Sequence, residues 1–324
     1  MIKLKAPFPY FGGKSRVADI VWQALGNCHR YIEPFFGSGA VLLARPGWNP
    51  DKPFQDEIVN DKDGHLCNVW RALQADPDVV AKYCDSPTNH AELMARKKVL
   101  VGEQGSILNK MVDDVDYYDA KLAGYWIYAA SNWIGSGLMR PNQRPYLTDN
   151  KGINAQIPFL DHNQGITIPL ENISGVDVQQ PYRIGIYHWF RALSERLRAV
   201  KVVCGEWNRV CGGNWQDKGG PTGMFFDPPY SHDVRDKNLY DYETDCAKAA
   251  AQWCLLRGKS KNYRIVLAGY YEEHDWLLKD GWTVKRWAAS GGFGNLAGKD
   301  NNTNRLKEAL FFSPYCLNNN QSLF

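Results

Sequence analysis

Val17, Ile20, Val21 and Leu25 recur at the spacing of one helix face, so residues 15–25 are predicted to form a first helix. Behind it the period changes. Residues 31–40 read as a short strand turning through Gly37-Ser38-Gly39 into a helix, and residues 57–61 as a second short strand that finishes in a carboxylate. Helical spacing takes over across residues 66–73, 90–99 and the strongly apolar 118–132. After a stretch rich in Gly, Pro and Asn, Ile186, Trp189, Phe190, Leu193 and Leu197 share one face of a helix over 185–200, with His188, Arg191, Glu195 and Arg198 opposite. Strands are predicted at 200–203, in the run Met224-Phe225-Phe226 and at 263–267, with a helix over 241–257. Residues 282–287 and 307–312 would close the sheet as an antiparallel pair. Strands alternating with helices at both ends, and helices alone in the middle, predict an α/β fold carrying a helical insertion.

The strand ending at Phe226 runs directly into Asp227-Pro228-Pro229-Tyr230. Each proline lacks a backbone donor and fixes its own φ, so the chain must leave the sheet there along a rigid path. The prolines also push the residue before them toward extended geometry, which holds the Asp227 carboxylate and the Pro228 carbonyl as two acceptors above the strand end. Two fixed acceptors suit an aromatic amine. Its lone pair is delocalised into the ring, and drawing on its hydrogens shifts the nitrogen toward a tetrahedral nucleophile. Tyr230 offers a ring face for a base. Most Pro-Pro pairs merely end strands, yet this tetrapeptide arises by chance in such a chain only on the order of once in a thousand. The chemical reading, methylation of an exocyclic amine, is therefore preferred.

Methyl transfer requires a donor site. Gly37 and Gly39 allow a ligand to approach the backbone, and their position after a strand gives the otherwise common Gly-x-Gly its weight. Position 42 is Leu, so the third glycine of the dinucleotide fingerprint is missing, which argues against a pyrophosphate cofactor. Asp61 closes the next strand, where α/β nucleoside-binding sheets place the acid that takes ribose hydroxyls. Taken alone, Asp61 is more readily a loop acid or the cap of a helix starting near Gly64. Lys14 stands just before the first helix, in reach of a carboxylate held at its N-terminus, although a surface position is the usual fate of lysine.

In four separated segments the chain resembles the Dam-type DNA adenine methyltransferases, especially their phage-encoded branch. Pro9-Tyr10-Phe11-Gly12-Gly13-Lys14 is similar to the aromatic-x-Gly-Gly-Lys segment that lines the S-adenosylmethionine pocket, with Tyr10 where the family often has Trp. Glu33-Pro34-Phe35-Phe36-Gly37-Ser38-Gly39 resembles the donor-binding loop, and Asp227 to Tyr230 the catalytic motif. Asn304-Arg305 through Leu310-Phe311-Phe312 resembles the closing strand. Glu206-Trp207 is similar to the acidic-aromatic pair that contacts the donor's adenine. The resemblance implies a Rossmann-like S-adenosylmethionine-dependent methyltransferase sheet built from residues 1–64 and 200–324, interrupted by a mostly helical target-recognition region over 65–199. It further implies S-adenosylmethionine as cofactor, held by Tyr10, Lys14, Glu33, Phe35, Gly37, Ser38, Gly39, Asp61, Glu206 and Trp207. Catalysis would fall to Asp227, Pro228, Pro229 and Tyr230 on a flipped adenine, with no metal and with duplex DNA as partner.

Within the insertion, residues 131–144 gather glycines, amides and arginines, the types that approach DNA closely. Asn132, Arg140, Asn142 and Arg144 are the candidate DNA contacts, and Arg140 is closest to the family's Gly-Leu-x-Arg pattern. Residues 231–242 follow the catalytic tetrapeptide and are candidates to close over the base, whereas the Gly- and Asn-rich 290–304 suits either a DNA-ordered loop or a plain hairpin connection.

Composition narrows the setting. A chain of 324 residues, 44% hydrophobic, accommodates one catalytic domain and its insertion. No stretch approaches the ~18 apolar residues of a membrane span, and the Gly-Gly-Lys element follows the N-terminus too closely for a signal peptide. Cytoplasm of a bacterial or phage-infected cell is expected. The eight cysteines include no Cys-x-x-Cys pair, so neither a zinc ribbon nor a secreted disulfide frame is indicated. A net charge of +3 is too mild to identify nucleic-acid binding. Residues 183–209, with six bases (Arg183, Arg191, Arg196, Arg198, Lys201, Arg209) against Glu195 and Glu206, concentrate it locally. A monomer or weak dimer is expected. The rival readings are methylation of the cytosine 4-amino group and a catalytically inactive DNA-binding relative.

Overall fold

The computed structural model describes residues 4–8, 10, 13–51, 53–54, 56–114, 116–133, 137–141, 183–213, 219–229, 237–287 and 308–317. In chain order the elements are α1 (Ala18–Leu25), β1 (Arg30–Glu33), α2 (Ala40–Leu43), β2 (Glu57–Asp61), α3 (Gly64–Ala75), α4 (Pro77–Cys84), α5 (His90–Gly102) and α6 (Ser106–Asp113). Then follow α7 (Ala120–Asn132), α8 (Arg183–Leu197), β3 (Val200–Cys204), β4 (Thr222–Phe226), α9 (Lys237–Gly258), β5 (Tyr263–Tyr270), α10 (Tyr271–His274), β6 (Thr283–Arg286) and β7 (Glu308–Phe312). The mixed α/β architecture, with seven strands in its sheet, is that of a Rossmann-like fold. No helix among the described residues is long and apolar enough to cross a membrane.

The chain divides into two compact units, residues 1–13, 37–53 and 61–205 forming one and residues 14–36, 54–60 and 206–324 the other. The division interleaves along the sequence. The glycine turn at 37–39 goes with the helical unit, and the strand leading into it goes with the sheet.

In the second unit β1 pairs in parallel with β2 on one side and with β4 on the other, and β4 pairs in parallel with β5. All of Arg30–Glu33 and Thr222–Phe226 is buried, so neither strand shows the alternation of a half-exposed sheet, and the Arg30 and Glu33 side chains are buried with the rest. β7 runs antiparallel between β5 and β6, the pairing with 282–287 that the sequence predicts for 307–312. After β1 the chain continues on one side of that strand and later returns on the other. The carboxyl ends of β1 and β4 therefore flank a topological switch point, the place where open α/β sheets bind ligands. Trp22 of α1 packs its ring 4.7 Å from that of Tyr31, seating the helix on this part of the sheet.

In the first unit α3, α4, α5, α7 and α8 bury their apolar faces in a common helical core. Asp63, Asn89 and Asp119 cap α3, α5 and α7 by accepting from the N–H groups of His65, Glu92 and Leu122. Gly124 lets α4 and α7 approach closely, because a Cβ there would lie 2.5 Å from Tyr83 Cβ and 2.7 Å from the Val80 carbonyl. α4 and α6 have no counterpart in the sequence reading. α4 opens on Asp76-Pro77-Asp78, which reads as a turn, although proline at the first helical position suits a helix start. All eight cysteines are free.

Candidate active site

The second unit carries Asp227, the catalytic candidate. β4 ends at Phe226, and Asp227 follows half-buried, with Pro228 buried and Pro229 exposed. Lys14 is almost fully buried and its Nζ lies 2.9 Å from Asp227 Oδ2. The sequence placed Lys14 toward a donor carboxylate; in the fold its ammonium is directed at the catalytic candidate. Burying that charge is tolerable because an opposite charge meets it. Glu308, the first residue of β7, feels the same pair. Burial pushes its carboxyl up, Lys14 draws it down and Asp227 raises it further. Sequence reading passed over Glu308, which was submerged in an apolar closing strand.

Around the end of β1 the same unit fixes the segment 33–36. Glu33 is buried and accepts a hydrogen bond from the Tyr31 hydroxyl at 2.8 Å, side chains two apart on one strand face. The Asn60 side-chain amide donates to the Pro34 carbonyl at 3.0 Å, and the Asn60 backbone carbonyl accepts from the Phe36 N–H at 2.9 Å. Asn60 is thus a positioning residue that the sequence reading did not single out. Phe35 stacks on Trp207, centroids 6.3 Å apart and planes inclined by 26°. Trp207 also meets Phe226 edge-on. Both Phe35 and Trp207 are half-buried, and Glu206 beside them is exposed.

The first unit carries the glycine turn. Gly37 has φ 49° and Gly39 φ 67°, left-handed conformations that disfavour other residues. A Cβ on Gly37 would lie 2.9 Å from the Tyr10 ring, so the ring closes tightly over the turn. The Gly37 N–H donates to Asp61 Oδ2 at 2.8 Å, and its carbonyl accepts from Trp70 Nε1 at 3.1 Å. Asp61 Oδ1 accepts from the Asp63 N–H at 2.9 Å. Ser38 is buried. The helix cap that competed for Asp61 is in fact Asp63. Asp61 instead braces the turn, and burial outweighs these N–H bonds to push its carboxyl up to about 6.

The candidate DNA contacts separate. Arg140 is exposed, on a turn closed by its N–H donating to the Gly137 carbonyl at 3.0 Å. Asn132 is buried at the end of α7. Its amide donates to the Tyr128 carbonyl at 2.8 Å and its oxygen accepts from the Thr88 hydroxyl at 2.5 Å. Both ends of that side chain are committed inside the unit rather than offered to a base edge. Tyr230, Asn142, Arg144 and the segments 231–236 and 290–304 lie outside the described residues.

The local basic surplus is thinner than the sequence suggests. Arg191 donates from Nε and Nη2 to the two oxygens of the Asp78 carboxylate at 2.8 and 2.7 Å, and Arg196 is buried and donates to the Leu42 carbonyl at 3.1 Å.

Residues 10–135 match the family model of the D12 class N6 adenine-specific DNA methyltransferases. No curated protein matches the chain.

Proposed function

The chain is an enzyme that methylates the N6 position of adenine in DNA, and we propose that it uses S-adenosylmethionine and acts through Asp227-Pro228-Pro229-Tyr230 on an adenine flipped out of the duplex. The ion pair of Lys14 with Asp227 at the switch-point end of β4 carries this reading. It holds the Asp227 carboxylate aimed at the place where an open α/β sheet receives its ligand.

The residues present fit a nucleoside-bearing donor. At Gly37 there is no room for a side chain, Asp61 presents a carboxylate beside that turn, and Phe35 and Trp207 form a half-exposed pair of rings. In this reading Gly37, Ser38 and Gly39 bring backbone to the donor, Asp61 takes its ribose hydroxyls, and Phe35, Glu206 and Trp207 receive its adenine. Tyr10, Lys14 and Glu33 complete the set. When bound, S-adenosylmethionine supplies a methyl group on a sulfonium, which needs no metal to leave.

The target amine donates to the Asp227 carboxylate and the Pro228 carbonyl, so its lone pair is released toward the methyl group. Pro229 holds the loop rigid and Tyr230 stacks on the base. Lys14 keeps the Asp227 carboxylate aimed before substrate arrives. Recognition of duplex DNA falls to residues 65–199. There Arg140, with Asn142 and Arg144, approaches the DNA, and Asn132 supports the loop from within. A phage-type enzyme working in the cytoplasm as a monomer or weak dimer agrees with this reading.

The test is incubation of the protein with unmethylated duplex DNA and labelled S-adenosylmethionine, followed by nucleoside analysis. Label is expected on adenine N6, and label on the cytosine 4-amino group would overturn the assignment of the base. Asp227→Ala should lower the rate at least ~10²-fold while donor binding persists. Near-normal turnover by a folded Asp227→Ala protein would remove Asp227 from the mechanism.

A further inference from the structure

Lys97 sits within α5 in the run Arg96-Lys97-Lys98, residue types that ordinarily face water. Its surroundings are the opposite. Lys97 is 2% exposed, and its ammonium donates to three backbone carbonyls of one turn, those of Gly137 at 3.0 Å, Leu138, and Arg140 at 2.8 Å. The same nitrogen lies 4.4 Å from the centre of the Trp133 ring, on the stretch that leads into this turn. An ammonium offers three donors and no acceptor, so three converging carbonyls use its whole capacity. Among the described residues the turn's own backbone bond runs from the Arg140 N–H to the Gly137 carbonyl, and Gly137 takes φ 106°. Burial lowers the basicity of Lys97, which is what an ammonium removed from water and facing carbonyls rather than a carboxylate should show.

We infer that Lys97 is the positioning residue of the DNA-reading turn: its buried ammonium gathers the carbonyls of residues 137–140 and so presents the exposed Arg140 side chain to DNA. The inference rests on the proposed reading of Arg140 as a DNA contact. Lys97 itself touches no DNA. It acts as a cation built into the protein side of the loop, fixing the backbone from which the arginine projects, so that Arg140 meets DNA without first ordering its own turn. Preorganisation of this kind lowers the cost of association rather than adding a contact.

The test compares the full-length protein with Lys97→Met, which keeps the length and apolar stem of the side chain, and with Lys97→Arg, whose planar fork does not reproduce three converging donors. Amide hydrogen exchange at residues 137–140 reads the turn directly. Methylation of unmethylated plasmid DNA reads KM for DNA and kcat, and binding of S-adenosylhomocysteine checks that the donor site is intact. For Lys97→Met the expected result is faster exchange at Arg140, a KM for DNA raised roughly tenfold or more, and unchanged donor affinity and kcat. Combining it with Arg140→Ala should add little to either single variant, because both remove one function. Unchanged exchange at residues 137–140 in a folded Lys97→Met protein would overturn the inference, as would effects of Lys97→Met and Arg140→Ala that simply add. If Lys97→Met does not fold, Lys97→Arg with wild-type exchange and KM overturns it equally. Faster exchange together with an Arg140→Ala protein of normal KM would instead overturn the reading of Arg140 as a DNA contact, and the presenting role of Lys97 with it.

Discussion

Asp61 is the residue whose environment makes the sharpest demand. It has two jobs in this reading: its carboxylate accepts the Gly37 and Asp63 N–H groups within its own unit, and it receives ribose hydroxyls from the donor. Both want the charged form, yet burial raises its pKa from 3.8 to about 6. For stability alone, a carboxyl that titrates higher in the fold than in the open chain binds a proton on folding between those values. Its contribution is fully present below about 3.8 and is lost as pH rises through about 6. Donor binding runs the other way, because hydroxyls donate to the ionised form. Donor affinity should therefore rise about tenfold between pH 5 and pH 7.5, measured by titration calorimetry. Asp61→Asn should bind more weakly and flatten this profile. A wild-type profile already flat across that range would show that Asp61 does not meet the donor as a carboxylate.

At the level of the element, glycines decide where backbone comes close, and two of them do so for different reasons. Gly37 is left-handed and lies under the Tyr10 ring, whereas Gly124 lies inside a regular helix and lacks room only because α4 crosses it. Gly124→Ala should destabilise the protein by about 1–3 kcal/mol, as overpacking does, with no change in donor affinity per folded molecule. Gly37→Ala should weaken donor binding at least tenfold, since a Cβ there strains the backbone by about 1–2 kcal/mol and displaces Tyr10. Thermal melts with and without S-adenosylhomocysteine separate the two. A Gly124→Ala protein as stable as wild type would mean that α4 and α7 yield at no cost.

The same contrast explains what was legible in advance. The strands β1, β4, β5 and β7 and the helices α1, α7 and α8 announce themselves because their apolar positions keep one period. The candidate catalytic tetrapeptide is visible because proline chemistry is local. Lys97, Asn60 and Trp70 were invisible because their roles depend on which carbonyl a distant turn brings to them. Asn132 misled for the same reason, an amide of DNA-reading type whose partners, Thr88 and the Tyr128 carbonyl, are set by packing. The compact division eluded linear reading too, since it passes between Phe36 and Gly37 within one uninterrupted motif.

For the molecule as a whole, charge is the property that sequence arithmetic renders least faithfully. A net charge of +3 and six bases between residues 183 and 209 suggest a basic strip for the phosphate backbone. The fold removes part of it. Arg191 is committed to Asp78, and Arg196 is buried, with its guanidinium 5.8 Å from the Trp48 ring centre. Arg140 carries no such commitment of its side chain among the described hydrogen bonds and ion pairs, although it lies in a region of no special charge density. DNA affinity measured against salt distinguishes these arginines, because each phosphate contact contributes about 0.9 to the slope of log K on log salt concentration. Arg140→Ala is expected to reduce that slope by about 1 if the guanidinium meets a phosphate, or to leave the slope and relax the choice of site if it reads a base. Arg191→Ala should leave both unchanged and alter stability little, because an exposed ion pair is screened by water. A slope that falls with Arg191→Ala and not with Arg140→Ala, with the choice of site also untouched by Arg140→Ala, would move the DNA from the Arg140 turn to the face of α8.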